Sequence, residues 1–273
     1  MSRAVHMGDV MSFQIEDNAA LVTASSRGLG KASAEAMVTK GCNVVINGRD
    51  EDQLAETAAE LRDLGSGTVV TQPGDLTDPD DITALVDRTV EEFGGMDHLV
   101  TSAGGPPSGP FLETTDEDWY DAFDLLVMSV VRLVRESSPH LRADGGGTIV
   151  NITSRSVKEA INQLVLSNAV RMSVIGLEKT LSKELAPEVR ANAVLPGAHE
   201  TSRIRDLVQQ SVDRGEYDTY DEGLAARGEG IPLERIGDPL ELGEVVAFLS
   251  SPLSSYVTGV SIPIDGGSGA SNL

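Results

Sequence analysis

The stretch AALVTASSRGLG, residues 19–30, decides the fold. It begins with an apolar run that predicts a buried strand, and Gly28 and Gly30 follow at the start of a helical pattern. Glycines are needed where the backbone turns tightly and a helix packs close to a strand. The N-terminus of such a helix presents free N–H groups and the positive end of its dipole to an anion. The pattern predicts a dinucleotide-binding turn, with a purely structural tight turn as the alternative.

Further short apolar runs follow this first strand, separated by stretches whose apolar residues recur at helical spacing. These runs span residues 43–47, 67–72, 98–102, 147–153, 191–195 and 260–265. Strands joined by crossover helices pair in parallel, and right-handed crossovers place helices on both faces of the sheet. The sequence therefore predicts an α/β chain with a three-layer, doubly wound Rossmann fold and a parallel sheet of about seven strands.

The chain is predicted to contain one domain, because no linker or low-complexity run divides it. We expect residues 1–12 to form an N-terminal extension and residues 13–273 to form the single Rossmann-fold domain. Residues 199–230 combine weak periodicity with many charges, which favours a mobile, lid-like insertion that orders on ligand binding. The proline-rich loop at 104–110 follows a strand that ends at the predicted cofactor site. We expect this loop and the insertion to form the two walls of a substrate pocket.

The charge of the chain excludes two classes of partner. Its 43 acidic and 21 basic residues give a formal net charge of −22, which disfavours both a nucleic-acid backbone and an anionic membrane surface. Carboxylates are abundant and lysines are few, a balance that favours a halophilic protein, since molar salt screens a self-repelling surface. An ordinary acidic cytosolic enzyme is the alternative. We expect a small-molecule substrate.

The sequence also bears on location and metal binding. A lone cysteine, Cys42, rules out an internal disulfide framework and fits a reducing compartment. The N-terminus lacks the apolar segment of a signal peptide, and no apolar run has the length of a spanning helix. His6, His98 and His140 are scattered, without Cys or carboxylate at metal-ligand spacing. We expect a soluble, cytoplasmic protein without a metal site.

The end of the second predicted strand indicates which dinucleotide is preferred. Gly48 stands where an acid that binds the ribose 2′-hydroxyl would be expected, so no carboxylate repels a 2′-phosphate. Arg27 and Arg49 could clamp that phosphate with planar, bidentate contacts. The pattern favours NADP(H) over NAD(H); the alternative is that both arginines are ordinary solvated surface groups.

Several motifs together resemble the short-chain dehydrogenase/reductase family, most closely its 3-oxoacyl carrier-protein reductase branch, over residues 13–269. They are TASSRGLG at 23–30, GDLTD at 74–78, TSAGG at 101–105 and VLPGAHET at 194–201. The resemblance implies a homotetramer or homodimer formed through the fourth and fifth predicted helices, whose apolar faces lie at 125–134 and 165–177. It also implies cofactor contacts, which by position fall on Thr23, Ser25, Ser26, Arg27, Gly28, Leu29, Gly30, Arg49, Asp75, Leu76, Ala103, Gly104, Arg171, Pro196, Gly197 and Thr201.

The catalytic residues depart from the family pattern, which is an Asn, a Ser and a Tyr-x-x-x-Lys. Ser154 matches the serine, but Ser167 stands in place of the tyrosine and Arg171 in place of the lysine. Leu126 falls at the asparagine position. Hydride delivery to a carbonyl needs a proton donor, and a serine hydroxyl cannot be tuned toward neutrality as a phenol can. We expect Ser154, Ser167 and Arg171 to form the catalytic group, with the proton relay altered.

The sequence offers four candidates for the proton donor in place of the tyrosine. They are Ser154 itself, a water held by Ser154 and Ser167, Lys158 in the loop after Ser154, and His199 after the nicotinamide-side segment. Ser167 and Arg171 lie four residues apart on one helix, so both should face the site that Ser154 borders. For Lys158 and His199, an ordinary surface role is the alternative.

Three functions fit the sequence. The first is an NADP(H)-dependent oxidoreductase acting on a carbonyl/alcohol pair, similar to a 3-oxoacyl reductase. The second is a dinucleotide-binding protein without redox activity, acting as a sensor or oligomer partner. The third is a lyase resembling halohydrin dehalogenases, which is least favoured because that group keeps the tyrosine and loses the glycine-rich loop. We favour the oxidoreductase, because an intact nucleotide site has little physical use otherwise.

Overall fold

The computed structural model describes residues 12–143 and 145–272 of the chain. The predicted N-terminal extension, residues 1–12, lies outside this range apart from Ser12. Within the described residues no helix has the length and apolar character needed to cross a membrane.

Seven parallel strands form a single sheet in the order β3-β2-β1-β4-β5-β6-β7. The strands are β1 Ala19–Val22, β2 Asn43–Gly48, β3 Val69–Pro73, β4 His98–Thr101, β5 Gly147–Ile152, β6 Val189–Pro196 and β7 Ser261–Ile264. The four residues of β1 are all buried, as expected for a strand covered on both faces. The prediction of a Rossmann fold with about seven parallel strands is confirmed.

Helices cover both faces of the sheet. They are α1 Gly28–Val38, α2 Glu51–Leu64, α3 Pro79–Phe93, α4 Asp116–Phe123, α5 Ser129–Leu141, α6 Val165–Glu184, α7 Ser202–Asp213, α8 Tyr220–Gly228 and α9 Pro239–Ser250. A π-helical turn at Asp124–Met128 joins α4 to α5. One apolar core lies under α3, α5 and α6 and a second under α1, α2 and α9. These are the two outer layers and two cores of the predicted three-layer arrangement.

Close backbone packing holds α1 against α9. A Cβ on Gly243 of α9 would lie 2.3 Å from the carbonyl oxygen of Ala32 in α1, so glycine is required at this crossing. Asp238 caps α9 by accepting a hydrogen bond from the Leu240 backbone, and Pro239 opens the helix. The packing fixes the position of α1, whose N-terminus faces the carboxyl end of the sheet.

The segment predicted as a lid-like insertion, residues 199–230, contains the helices α7 and α8. They pack together, since Val208 of α7 is fully buried and a Cβ on Gly223 of α8 would lie 2.9 Å from its side chain. Thr219 caps α8 by accepting a hydrogen bond from the Glu222 backbone. The apolar periodicity is weak in the sequence because these short helices bury few side chains, so pattern alone did not indicate them.

The strand order reverses between β1 and β4. In a doubly wound sheet the connections on the two sides of this point turn to opposite faces, which opens a crevice at the carboxyl ends of the two strands. The glycine-rich turn after β1 and the loop after β4 both lie there. The fold therefore places the predicted dinucleotide-binding residues at a crevice.

Candidate functional site

The turn between β1 and α1 has the backbone geometry of a phosphate-binding turn. Ala24 has a φ of +45° and Gly28 a φ of +60°, the left-handed region in which glycine is favoured. A Cβ on Gly30 would lie 2.4 Å from the Ala24 carbonyl oxygen, so only glycine fits. The first residues of α1 line the adjacent cavity, where their free N–H groups can bind an anion.

The buried side chain of Asn47, in β2, holds this turn in place. Its Oδ1 accepts a hydrogen bond from the Ala24 backbone at 3.1 Å, and its Nδ2 donates to the carbonyl oxygens of Gln72 and Gly74 at 3.3 and 3.1 Å. Ser25 adds a second link, since its Oγ accepts a hydrogen bond from the Asn47 backbone at 3.0 Å. Asn47 and Ser25 therefore connect the phosphate turn to the ends of β2 and β3.

Thr23 ties the end of β1 to the segment after β4. Its Oγ1 donates to the Ser102 carbonyl oxygen at 2.8 Å and accepts from the Ser102 backbone N–H at 2.9 Å. On the next strand pair, the Thr101 hydroxyl donates to Oδ1 of Asn151 at 2.7 Å. These bonds hold the carboxyl ends of three adjacent strands together at the crevice.

A cavity of about 560 Å³ occupies the crevice. Predicted cofactor-contact residues that line it are Ser26, Arg27, Gly28, Leu29, Gly30, Arg49, Asp75, Leu76, Ala103, Gly104, Arg171 and Thr201. Four other predicted contacts, Thr23, Ser25, Pro196 and Gly197, are not in its wall. Thr23 and Ser25 are fully buried and bonded to backbone groups, which gives them a structural role in this geometry.

One end of the cavity contains both arginines of the predicted phosphate clamp. Arg27 and Arg49 are exposed and line the wall beside Gly48. A Cβ on Gly48 would lie 2.9 Å from Cβ of Ser26, so packing leaves no room for an acid at this position. Arg49 also forms an ion pair with Asp75, at 3.6 Å between Nη1 and Oδ2. This end of the cavity suits an anionic group of a ligand, because two arginines line it and no carboxylate stands at the Gly48 position.

Asp75 is ordered by its own turn. Its Oδ1 accepts hydrogen bonds from the Thr77 backbone at 2.9 Å and from the Thr77 hydroxyl at 2.8 Å. The backbone bond in particular holds the pKa of the Asp75 carboxyl below its usual value, with a smaller contribution from Arg49. Asp75 is therefore a fixed, ionised acceptor in the wall of the cavity.

Arg171 reaches the other end of the cavity from α6. The residue is only 8% exposed, and burial lowers the pKa of its guanidinium to about 10, so it is still charged at neutral pH. Among the described residues its side chain makes one hydrogen bond, from Nη2 to the Gly104 carbonyl oxygen at 3.4 Å. A buried cation therefore faces a cavity with most of its donors unused.

Leu126, predicted to stand at the asparagine position of the family, lies within the π-helical turn between α4 and α5. It is 3% exposed and lines a small cavity of about 10 Å³ that Arg171 also borders. A volume of this size is close to the minimum that holds one water molecule. The small cavity behind the arginine is therefore bordered by an apolar side chain at this position.

The serines of the predicted catalytic group form a connected chain of hydrogen bonds. The Ser154 Oγ accepts from the Ser156 backbone at 3.1 Å, and the hydroxyls of Ser156 and Ser167 are 3.1 Å apart. Ser156 and Ser167 are buried, and neither Ser154 nor Ser167 lines the large cavity. The cavity wall beside them is formed by Thr153, which directly precedes Ser154. Ser167 thus pairs with Ser156 and not with Ser154.

The structure places Lys158 and His199 away from the large cavity. Lys158 is exposed and borders a separate cavity beside the C-terminal tail. His199 is 5% exposed, and its ring packs against Gly237 in another small cavity. Burial lowers the pKa of His199, which favours the neutral imidazole. Of the four predicted donors, Ser154 and a serine-held water therefore stay predictions, and Ser154 directly follows Thr153 of the cavity wall.

The N-terminus of α7 closes over the phosphate turn. Thr201, at the N-cap of α7, lines the large cavity, and its Cγ2 would be 3.6 Å from a Cβ on Gly28. A further cavity of about 410 Å³ separates Arg27 from the side chains of α7, including Asp206 and Gln210. The start of α7 thus borders the cavity of the glycine turn, and a substrate-pocket wall formed by the 199–230 segment stays a prediction.

Comparison with known proteins identifies the family. The model of the enoyl-(acyl carrier protein) reductase family matches residues 23–269. The chain belongs to the short-chain dehydrogenase/reductase family. It is 31% identical over 256 residues to the 3-oxoacyl-[acyl-carrier-protein] reductase of Vibrio cholerae, covering 93% of this chain and 98% of the relative. As a member of this family, it is an NAD(P)-dependent oxidoreductase.

Two solved structures extend the comparison for this short-chain dehydrogenase/reductase. The L-sorbose reductase of Gluconobacter frateurii, in complex with NADPH and L-sorbose, matches with a TM-score of 0.90 at 29% identity, covering 96% of this chain and 100% of that one. A short-chain oxidoreductase of Pseudomonas aeruginosa, described as containing an atypical catalytic center, matches with a TM-score of 0.87 at 30% identity, covering 94% and 98%. Both likenesses span nearly the whole chain.

Sequence reasoning missed two residues that organise the site of this short-chain dehydrogenase/reductase. Asn47 braces the phosphate turn, and Ser156 pairs with Ser167. A signal for Asn47 was present, since a polar residue at the end of an otherwise apolar buried strand needs hydrogen-bond partners. No comparable signal marked Ser156, because its partner lies eleven residues away on α6.

Proposed function

We propose that the protein is an NADP(H)-dependent oxidoreductase acting on a carbonyl/alcohol pair, with Ser167 and Arg171 in place of the usual tyrosine and lysine. The observation that carries the proposal is one cavity lined by the glycine turn, by Arg27 and Arg49 at one end, and by Arg171 at the other. The NADPH-bound L-sorbose reductase with the same fold supports it. The overall likeness to a 3-oxoacyl reductase supports the reaction class.

The residues present fit an NADP(H) molecule. The N-terminus of α1 and the backbone of the glycine turn suit the diphosphate, while Arg27 and Arg49 suit the 2′-phosphate. Asp75 and Leu76 border the part of the cavity proposed for the adenine. When bound, the cofactor would supply the hydride.

The proton is proposed to come from Ser154 or from a water held near Ser154 and Ser167. Ser154 directly follows Thr153 of the cavity wall, and the Ser156–Ser167 hydroxyl pair extends from it into the protein. Arg171 would stabilise negative charge on the substrate oxygen, because a guanidinium stays protonated and cannot act as a proton shuttle at neutral pH. The Pseudomonas oxidoreductase with an atypical centre supports a working enzyme without the usual residues.

The cofactor preference is tested by titrating the protein with NADPH and NADH in high salt, following fluorescence or heat. We expect NADPH to bind at least about tenfold more tightly than NADH, and Arg49→Gln to remove most of that difference, since each arginine–phosphate contact contributes about 1.5–3 kcal/mol. The control is Arg88→Gln, at a half-buried arginine of α3 that pairs with Glu92 away from the cavity, and it should change neither affinity. Equal affinities for the two dinucleotides would contradict the NADP(H) proposal, and no binding of either would contradict the oxidoreductase proposal.

Dinucleotide binding without redox activity is a second candidate. It is favoured by the buried Ser156–Ser167 pair and by the apolar Leu126, since the described residues offer no ionisable donor on the wall beside Arg171. A panel of ketones, aldehydes and oxo acids mixed with the NADPH complex separates the two functions. Loss of NADPH absorbance with any of them supports the oxidoreductase, and tight binding without turnover across the panel supports the sensor role.

A further inference from the structure

The loop between β5 and α6, residues 154–164, begins at Ser154 and is called the serine loop below. Within this range, all of which the structure describes, Ser156 is the one buried residue, and most of the others are half-buried or exposed. A segment that buries so few side chains depends on hydrogen bonds to its neighbours for its order. The position of Ser154 therefore depends on the contacts that hold the serine loop.

Arg155, the second residue of the serine loop, connects it to the C-terminal tail, residues 265–272. Its Nη1 donates to the carbonyl oxygen and the hydroxyl of Ser268 at 3.2 and 3.1 Å, and lies 3.0 Å from Oε1 of Glu159. The other carboxylate oxygen of Glu159 accepts a hydrogen bond from the Ala270 backbone at 2.9 Å. Arg155 and Glu159 thus form a link between loop and tail, called the tail clasp below.

The tail is itself ordered where the tail clasp holds it. Asp265 accepts hydrogen bonds from the backbones of Gly267 and Gly269 at 3.0 and 2.9 Å. Gly266 and Gly267 have φ of +63° and +82°, the left-handed region in which glycine is favoured. The Gly266 carbonyl oxygen also accepts a hydrogen bond from the Leu233 backbone at 3.2 Å. The turn after β7 therefore sets the direction of the tail, and the tail clasp connects the serine loop to the end of β7.

Packing cannot replace this link, because a cavity of about 310 Å³ lies between the serine loop, the tail and β7. Lys158 borders it from the loop, and Ser261 and Pro263 border it from β7. Dispersion contacts between the segments are lost across such a gap. The side chains of Arg155 and Glu159 are 28% and 25% exposed, so solvent screens their attraction only in part. The tail clasp is therefore the contact that holds this end of the loop.

The tail clasp acts on the turn that orients the Ser154 side chain. Ser154 is the N-cap of a 3₁₀ turn at Arg155–Val157, and its Oγ accepts a hydrogen bond from the Ser156 backbone at 3.1 Å. The Val157 backbone closes the turn by donating to the Ser154 carbonyl oxygen at 3.3 Å. Because the clasped arginine is the first residue of this turn, a displacement of its side chain also displaces the cap.

We infer that Arg155 and Glu159 are positioning residues for Ser154, because their contacts with the C-terminal tail fix the place of its hydroxyl beside the large cavity. The inference rests on the proposed oxidoreductase function, in which Ser154 or a water held near it supplies the proton. Ser154 directly follows Thr153 of the cavity wall, so movement of the loop would move the proton donor. Neither Arg155 nor Glu159 lines the large cavity, so both act through Ser154.

Amide hydrogen exchange in the free protein tests the tail clasp without cofactor or substrate. Arg155→Met removes the donors of the arginine and keeps a long side chain, and deletion of residues 268–273 removes its partners in the tail. We expect each change to make exchange of the 156–159 amides about fivefold faster, for the loss of about 1 kcal/mol. Exchange like that of the wild-type protein in both variants would overturn the inference.

Two controls separate this effect from general loosening. The Ile161 amide, which donates to Oδ1 of Asn168 in α6 at 3.2 Å, should exchange as in the wild-type protein. Arg88→Met is the matched variant, because Arg88 pairs with Glu92 at the same four-residue spacing and the same 3.0 Å as Arg155 with its glutamate. It should leave the 156–159 amides unchanged. Equal acceleration in Arg88→Met would overturn the inference.

Turnover tests whether the tail clasp acts through Ser154. With a compound of the panel that the wild-type protein reduces, Arg155→Met should lower kcat at least about tenfold and leave the Kd for NADPH unchanged. In the Ser154→Ala background the same change should lower kcat no further. If Ser154→Ala has no measurable turnover, Arg155→Met is combined with the tail deletion, and the pair should lose no more than either change alone. Unchanged kcat in Arg155→Met, or additive losses in the combined variants, would overturn the inference.

Failure of the proposed function gives a different result. In that case the wild-type protein reduces no compound of the panel, and hydrogen exchange at 156–159 alone decides whether the tail clasp fixes Ser154. Faster exchange in both Arg155→Met and the tail deletion, with Arg88→Met unchanged, would still support the positioning role. Exchange that neither change affects would overturn it.

Discussion

Gly30 leaves no room for a side chain in the phosphate turn. An added Cβ would lie 2.4 Å from the Ala24 carbonyl oxygen, and Ala24 is already in the left-handed region. Gly30→Ala must therefore displace the turn or the start of α1. We expect it to weaken dinucleotide binding at least tenfold, measured by fluorescence titration, and to lower the unfolding temperature.

The matched control is Gly176→Ala, on an exposed part of α6 where no atom lies within 4 Å of an added Cβ. Alanine is favoured over glycine in a helix by about 0.5–1 kcal/mol, so this variant should be slightly more stable and should bind the dinucleotide normally. Unchanged affinity in Gly30→Ala would show that the turn does not hold the cofactor.

Glu178 is a buried carboxyl of α6, and we expect it to make the stability of the protein depend on pH. Its Oε2 lies 3.5 Å from the donating hydroxyl of Ser261 in β7, and Oε1 has no partner within the described part of the chain. Burial raises the pKa of Glu178 to about 7. The pKa of Glu178 is higher in the folded than in the unfolded protein. Its contribution to the free energy of unfolding is therefore fully present below about pH 4.5 and is lost as the pH rises through 7.

Glu178→Gln should remove this dependence. The variant and the wild-type protein are expected to differ little in free energy of unfolding at pH 5, and the variant should be more stable by about 1–3 kcal/mol at pH 8. Denaturant unfolding at the two pH values measures it, with the exposed Glu184→Gln as control. A difference in free energy of unfolding that is the same at both pH values would contradict a raised pKa of Glu178.

At the scale of elements, the loop after β4 is fastened to the loop before α6. The Gly109 backbone donates to the Gln163 carbonyl oxygen at 2.7 Å, and Gly109 forms a parallel bridge with Leu164. Asn168 of α6 braces the same loop through the backbone N–H and carbonyl of Ile161. The bridge holds the predicted 104–110 wall against the serine side of the site.

Gly109→Pro removes the donating N–H, whereas Gly109→Ala keeps it, and no atom lies within 4 Å of an added Cβ at this position. We expect amide hydrogen exchange across residues 160–165 to be about fivefold faster in Gly109→Pro, for the loss of about 1 kcal/mol, with NADPH affinity unchanged. Gly109→Ala should exchange like the wild-type protein. Equal exchange in the two variants would show that the loops are not coupled through this bond.

At the scale of the whole molecule, the net charge of −22 dominates the surface electrostatics. Molar salt shortens the Debye length to about 3 Å, which screens repulsion between carboxylates. We expect the unfolding temperature to rise between low salt and molar KCl, measured by calorimetry, with sucrose at equal osmolality as a control for solute exclusion. A temperature that is unchanged or lower in KCl would contradict salt adaptation. Cytoplasmic location and assembly into a homotetramer or homodimer also stay predictions.

Much of the fold could be predicted because its signals are local. The run 19–23 with its glycines, the repeated alternation of strand and helix, and the Asp238-Pro239 helix start each depend on residues a few positions apart. The same holds for the glycine turn, whose residues 26–30 line the cavity, whereas Thr23 and Ser25 do not. The family motifs also predict the order in which the cofactor-binding segments follow one another along the chain.

The sequence by itself determined the Rossmann fold, and it predicts the place of the dinucleotide turn and the replacement of the usual catalytic tyrosine and lysine. Only the tertiary structure decided that Asn47 braces the turn, that Ser167 pairs with Ser156, and that Arg171 is buried without a counter-charge. The reason is physical: strand and helix periodicity arises from neighbouring residues, whereas burial and hydrogen-bond partners depend on segments that meet only when the sheet and its helices have assembled.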